Sequence, residues 1–158
     1  MLKLNTYGDR TLFFDFMPFK LGKINGFDTT VQLYTVPGQI RYNQTRKIVL
    51  NGVDGIVFVA DLLAPQRYRN CISLKNLHEN LEKFNKNIFK TPLVSQYNKI
   101  DLAKDGIPIL SPKVLEKDLN SKLKRPAFIA SALTGDNVVE TLKTIISLTA
   151  NTLNQNQN

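Results

Sequence analysis

The chain has 158 residues, 42% of them hydrophobic, which suits one globular domain with a substantial core. Its net charge is +8, but the basic residues are scattered and not interleaved with aromatic residues, which argues against a nucleic-acid-binding protein. One cysteine, Cys71, excludes an internal disulfide framework, and no apolar run is long enough for a secretory signal or a transmembrane segment, so we expect a cytoplasmic protein.

The first predicted element is an antiparallel β-hairpin. Residues 11–19 are apolar and rich in phenylalanine, and they are predicted to form its first strand. Asn25-Gly26 is a dipeptide typical of a tight reversal, and residues 29–36 form the second predicted strand.

After the hairpin, the sequence alternates between strands and helices. Parallel strands are predicted at 55–61, 93–97 and 126–130, and the first of these is a continuous β-branched run typical of a buried strand. Helices are predicted at about 65–85, at 112–124 and from Asp136 onward. This order predicts a three-layer α/β domain over residues 1–153. Residues 154–158 are only asparagine and glutamine and are predicted to be a disordered tail.

An N-K-x-D motif, formed by Asn98, Lys99 and Asp101, follows the predicted strand at 93–97. Open α/β sheets bind ligands at the carboxyl ends of their strands. A carboxylate at Asp101 can accept two N–H groups from one edge of guanine, which adenine does not offer. The lysine stem can cover a base face, and the asparagine amide can bond to base and protein. The motif therefore predicts a guanine-nucleotide site.

Two further segments support this interpretation only in combination with N-K-x-D. Ser131-Ala132 follows the next predicted strand, where a backbone N–H would face the guanine carbonyl. Gly38-Gln39 ends the second hairpin strand, where the glycine would let a backbone N–H approach a γ-phosphate and the glutamine could orient an attacking water. From the residues alone, a plain Pro-Gly turn explains the second segment equally well.

The G-x-x-x-x-G-K-[S/T] phosphate loop does not occur in the sequence. That loop supplies the N–H cradle, the phosphate lysine and the Mg²⁺ hydroxyl of such domains. The nearest match, Gly22-Lys23, is followed by Ile24 and has Met17 where the first glycine should be. The chain as given is therefore predicted to be inactive as a GTP hydrolase.

Three segments together resemble the MglA family of bacterial Ras-like GTPases, which govern gliding motility and cell polarity. They are 10–16 (R-T-L-F-F-D-F), 33–39 (L-Y-T-V-P-G-Q) and 52–61 (G-V-D-G-I-V-F-V-A-D). Thr35 makes the match specific, because most Ras relatives carry aspartate there. The resemblance implies a three-layer Ras-like G-domain of the P-loop NTPase type.

The resemblance also implies roles for individual residues. Arg10 matches the arginine that the family supplies in cis to the transition state, Gln39 the water-positioning residue and Gly38 the γ-phosphate sensor. The resemblance implies that Thr6 or Thr11 binds Mg²⁺, and the choice between the two threonines stays open. Without the resemblance, Arg10 is a solvated basic residue before a strand.

At the level of function, the resemblance implies a switch that binds GTP or GDP with Mg²⁺ and hydrolyses GTP in its full-length form. A roadblock-domain activator and effector proteins are the implied partners, and residues 35–43 and the region before Thr11 are the implied switch segments. Recruitment to a cell pole is implied as well.

The family differs from this chain at its beginning, where members carry a strand, the phosphate loop and a helix. Met1 resembles an internal methionine of the family, so we expect an N-terminally truncated, incomplete GTPase domain. The missing strand is expected to be central, between the strands at 31–36 and 55–61 on one side and that at 93–97 on the other. A pseudo-GTPase scaffold, or a fragment without phosphate binding, is the alternative. The presence of Arg10, Gln39 and Asp101 argues against it.

Overall fold

A computed structural model describes residues 15–24 and 27–155. The chain divides into two compact units, Met1–Gly52 and Val53–Asn158. We call them the hairpin unit and the parallel-sheet unit. Within the described residues, each unit contains one β-sheet.

The hairpin unit contains the predicted antiparallel pair. Strand β1 (Asp15–Ile24) pairs with β2 (Phe27–Thr35), from Asp15 opposite Thr35 to Ile24 opposite Phe27. The first strand therefore extends beyond the predicted end at 19, because pairing continues up to the reversal, and positions 11–14 lie outside the described residues. The two reversal positions, 25 and 26, lie outside the described residues. A register irregularity falls between Lys20 and Gly22, and Gly22 has a φ of +84°, a conformation that favours glycine.

A helix that the sequence did not predict follows β2. This helix, α1 (Asn43–Leu50), is preceded by a 3₁₀ turn at Ile40–Tyr42. The residue at its N-cap position, Tyr42, makes no side-chain capping hydrogen bond, so the usual start signal is missing. Burial of Thr45, Arg46 and Leu50 marks its inner face instead.

The parallel-sheet unit has the strand order β3-β4-β5, and its three strands lie close to the predicted positions. The strands are β3 (Ile56–Asp61), β4 (Leu93–Asn98) and β5 (Ala127–Ile129). β3 and β4 pair directly, from Ile56 opposite Leu93 to Asp61 opposite Asn98. The expectation that a missing strand lies between these two strands in the sheet is therefore wrong.

The helices of this unit are α2 (Arg67–Lys83), α3 (Pro112–Leu115) and α4 (Val138–Gln155). α3 is shorter than the predicted 112–124 and continues into a π-helical turn at Glu116–Asn120. The helix ends there because the Asn120 amide binds the backbone N–H and C=O of Arg125 and the Glu116 carboxylate. α4 extends two residues into the predicted disordered tail, and residues 156–158 lie outside the described part.

The core of the unit lies around β4, which is buried on both faces except at its last residue. The Tyr97 hydroxyl donates to the Glu116 carboxylate at 2.6 Å, and burial raises the pKa of that tyrosine well above its ordinary value. The apolar side chains of this unit that are fully buried are Ala60, Leu62, Leu81, Leu93, Val94, Leu115 and Ala130. No helix within residues 15–24 and 27–155 is long and apolar enough to cross a membrane.

One edge of β3 lies away from β4. The N–H groups of Ile56 and Leu62 donate to β4 and its flank, so the alternating backbone groups of Val57, Val59 and Asp61 point to the opposite edge. No strand of the described chain pairs with that edge. At the last position of the edge, the side chain of Asn70 bonds to the backbone N–H and carbonyl of Asp61.

Candidate functional site

The carboxyl ends of β3, β4 and β5 lie at the same edge of the parallel sheet, where Asp61, Asn98 and Ser131 leave their strands. This follows from the parallel pairing, which aligns the ends of neighbouring strands. It is the edge at which open α/β sheets bind ligands.

A side-chain bond joins the two predicted base-binding loops. Asn98 Oδ1 accepts the backbone N–H of Ala132 at 2.8 Å. A backbone bond from Ile100 N–H to the Ala130 carbonyl, at 3.2 Å, holds the same loops together. The structure thus brings Asn98 and the Ser131-Ala132 turn close together, and their binding of guanine stays a prediction.

Ser131 shapes its loop and is fully buried. Its hydroxyl accepts the N–H of Thr134 at 3.1 Å, and its own N–H donates to the Asp136 carbonyl at 3.1 Å. The N–H of Ala132 is the one bonded to Asn98. The N–H groups of both residues in the predicted Ser131-Ala132 turn therefore already have protein acceptors, and a base carbonyl would share the Ala132 N–H with Asn98.

Lys99 has a left-handed backbone, with φ +78° and ψ +30°. A non-glycine residue in this region is uncommon and strained, and such residues cluster at binding sites. Its ammonium Nζ lies 2.7 Å from Oδ2 of Asp61, at the end of the neighbouring strand. Lys99 is therefore held by an ion pair that the sequence analysis did not foresee.

Asp101 is half-buried at the start of the 3₁₀ turn Ile100–Ala103. Within the described ranges, no hydrogen bond or ion pair engages its carboxylate. Two acceptor oxygens thus remain unoccupied by protein at the strand ends. A guanine edge, with its ring N–H and exocyclic amine, is a ligand of matching chemistry.

Asp61 is itself fixed from two directions. Its carboxylate Oδ1 accepts the N–H of Leu63 at 2.9 Å. Its backbone N–H donates to Asn70 Oδ1 at 3.1 Å, and its carbonyl accepts from Asn70 Nδ2 at 2.8 Å. The buried amide of Asn70, on α2, thus closes the last position of the free edge of β3.

The predicted γ-phosphate segment lies in the hairpin unit, directly after β2. Gly38 and Gln39 are exposed. Arg46 Nη1 donates to the carbonyls of Pro37 at 2.7 Å and Gln39 at 2.8 Å. Burial lowers the pKa of this guanidinium below its ordinary value. A buried arginine of α1 therefore fixes the backbone on both sides of Gly38.

Residues 3–151 of the chain match the model of the Ras family. The chain belongs to the Ras family. It is 45% identical over 148 residues to the mutual gliding-motility protein MglA of Myxococcus xanthus (strain DK1622), covering 94% of this chain and 73% of that protein. The resemblance to the MglA family and the Ras-like α/β fold are thereby confirmed.

Three site residues of this Ras-family chain lie outside the described residues: Arg10, Thr6 and Thr11. Their predicted roles in catalysis and Mg²⁺ binding stay predictions.

The sequence analysis of this Ras-family chain missed Asp61, Asn70 and Arg46. Asp61 could have been predicted, because it lies at the end of a predicted parallel strand, as Asn98 of the N-K-x-D motif does. Asn70 and Arg46 could not, since a single polar residue inside a helix is usually solvated. Asn70 bonds to backbone groups nine residues away, and Arg46 bonds to carbonyls nine and seven residues away. No side-chain pattern in the sequence reveals such contacts.

Proposed function

We propose that this chain is a guanine-nucleotide-binding switch of the small-GTPase type, which binds GTP or GDP and in its full-length form hydrolyses GTP to GDP. One observation carries the proposal: Asn98 joins the N-K-x-D loop to Ala132 beside an Asp101 carboxylate with no partner in the described chain. Membership of the Ras family supports the same assignment.

The site selects its base through Asp101. A carboxylate accepts from the two donors on the guanine edge, whereas the corresponding edge of adenine has no such pair of donors. A ligand that leaves the half-buried carboxylate unpaired loses affinity strongly. Lys99 covers one face of the base, and the Asn98 amide supplies its remaining Nδ2 donor.

From the family resemblance, we propose Gly38 as the γ-phosphate sensor, Gln39 as the residue that orients water and Arg10 as the arginine finger. Thr6 or Thr11 would hold Mg²⁺, which would neutralise phosphate charge.

The biological output of the switch is proposed to be partner binding through residues 35–43. The backbone there is held by Arg46, which gives this segment a defined conformation to lose or regain. A roadblock-domain activator and effector proteins are the proposed partners. By similarity to a protein named for mutual gliding motility, the proposed role is in motility or cell polarity, in the cytoplasm and at a cell pole.

The test of base recognition uses nucleosides, because these need no phosphate-binding residues. The 158-residue chain is titrated with guanosine, inosine, adenosine and xanthosine, and backbone amide shifts are followed by NMR. We expect guanosine to shift amides at 98–103 and 131–133 and adenosine to leave them unchanged. The Asp101→Asn variant should lose affinity for guanosine and gain affinity for xanthosine, because an amide pairs with one donor and one acceptor on the base edge.

The matched control is Asp105→Asn, which neutralises an exposed carboxylate in the same loop. It should bind guanosine as the unmodified chain does. Equal responses to guanosine and adenosine, or an Asp101→Asn variant with unchanged selectivity, would contradict the proposed site.

A pseudo-GTPase scaffold is the competing function, and the lack of a phosphate-loop motif within the 158 residues favours it. The purified 158-residue chain is expected to show no measurable GTP hydrolysis, because the N–H cradle and its lysine are missing from the sequence. Phosphate release comparable to that of ordinary small GTPases would refute this expectation.

A further inference from the structure

We infer that Asp61 is a positioning residue of the guanine site, which holds the stem of Lys99 where it covers the base before a ligand arrives. The inference rests on the proposed function. It concerns a residue that lies outside the N-K-x-D motif and 38 positions before Lys99.

The contact itself is specific. Lys99 Nζ and Asp61 Oδ2 are 2.7 Å apart, the distance of a charge-assisted hydrogen bond. The two side chains are 42% and 25% exposed, so water screens the pair only in part. A lysine without such a partner would sample many rotamers.

Asp61 is suited to this task because it is rigid. The Asn70 amide binds its backbone N–H and carbonyl, and the Leu63 N–H fixes its second carboxylate oxygen. It lies opposite Asn98 in the sheet, so its side chain reaches the residue that follows Asn98. The anchor of Lys99 is thus a strand position and not a loop.

Lys99 is consequently fixed at both ends. Its backbone is held in the left-handed region by the turn that begins at Ile100, and its ammonium is held by Asp61. A side chain ordered in advance loses less conformational entropy when a base stacks on it. Preorganisation of this kind raises affinity for every base that the stem covers, without reading the base edge.

The decisive variant is Asp61→Asn. It keeps an oxygen acceptor for Leu63 N–H but removes the charge that holds Lys99. For a partly exposed pair, we expect guanosine and inosine affinity to fall together, by about threefold to fivefold. Asp101→Asn should instead weaken guanosine more than inosine, since only guanosine carries the exocyclic amine. A drop in guanosine affinity alone, or no drop at all, would overturn the inference.

The matched control is Glu79→Gln, which removes the charge of an exposed ion pair with Lys75 on α2. It should leave both affinities unchanged. An equal loss in this variant would mean that overall charge, and not the position of Lys99, governs binding.

A ligand-free measurement keeps the inference separate from the proposed function. ¹³C relaxation of the Lys99 side-chain methylenes should report restricted motion in the unmodified chain, and motion like that of exposed Lys113 in Asp61→Asn. Equal mobility in both proteins would refute the positioning role even if guanosine binds. Failure of guanosine to bind the unmodified chain would contradict the proposed function, and the relaxation result would then decide the role of Asp61 alone.

Discussion

The two units stabilise their β-strands by different means. No side chain described in β1 or β2 is fully buried, whereas every residue of β4 except the last is buried. The hairpin strands are therefore held by their backbone ladder and by cross-strand contacts such as that of Phe16 with Tyr34. β4 is held mainly by burial of both faces.

This difference explains how substitutions should act in each unit. In the parallel-sheet unit, a lost methylene or an unpaired polar group is surrounded by protein and carries a full energetic penalty. In the hairpin, water can replace a lost contact on either face. Three substitutions test the contrast, from the largest expected effect to the smallest.

The largest effect is expected from Asn70→Ala. It leaves the N–H and carbonyl of Asp61 without their side-chain partner, at a total cost of about 3 kcal/mol. The measurement is the free energy of unfolding in urea. Asn151→Ala, the same substitution at an exposed position of α4, should leave that free energy nearly unchanged. Similar values for the two variants would show that the closure of the β3 edge stabilises nothing.

A somewhat smaller effect is expected from Gly55→Ala, directly before β3. An added Cβ would overlap Thr149 Oγ1 and come within 3.3 Å of the Ile145 side chain, both on α4. Overpacking of this kind costs about 2 kcal/mol. The double variant with Thr149→Ala should recover most of the loss in a urea titration. No recovery would mean that this close approach of helix and strand is not the cause.

The smallest effect is expected from Tyr34→Ala in the hairpin. The rings of Phe16 and Tyr34 face each other across β1 and β2 with centroids 4.9 Å apart. Losing this pair should lower hydrogen-exchange protection of hairpin amides by about 1 kcal/mol and leave β3, β4 and β5 unaffected. Tyr68→Ala, at an exposed position of α2, serves as the control. Equal loss of protection in both sheets would show that the two units do not respond separately.

The sequence predicted best where one physical effect dominates. A continuous apolar run predicted β3, and Asn25-Gly26 predicted a reversal between the two strands that pair up to Ile24 opposite Phe27. The helix at 43–50 escaped prediction because it lacks a capping residue, and the helix after Pro112 ended early because Asn120 binds the backbone of Arg125. Both depend on contacts that a sequence pattern does not contain.

The same distinction applies to the site. Asn98 follows a predicted strand end, so sequence was enough to expect it near Ala132 of the next strand end, where the two residues are bonded. The anchoring of Lys99 by Asp61 joins two strands across 38 residues, and only the parallel register reveals it. Local sequence names the groups that would touch the base, while topology decides what holds them.

The left-handed backbone of Lys99 has a consequence for protein engineering. Glycine is the residue that suits a φ of +78° best, so replacing Lys99 by glycine would relieve backbone strain while removing the stem that we propose covers the base. If that proposal holds, backbone strain and ligand affinity favour opposite residues at this position.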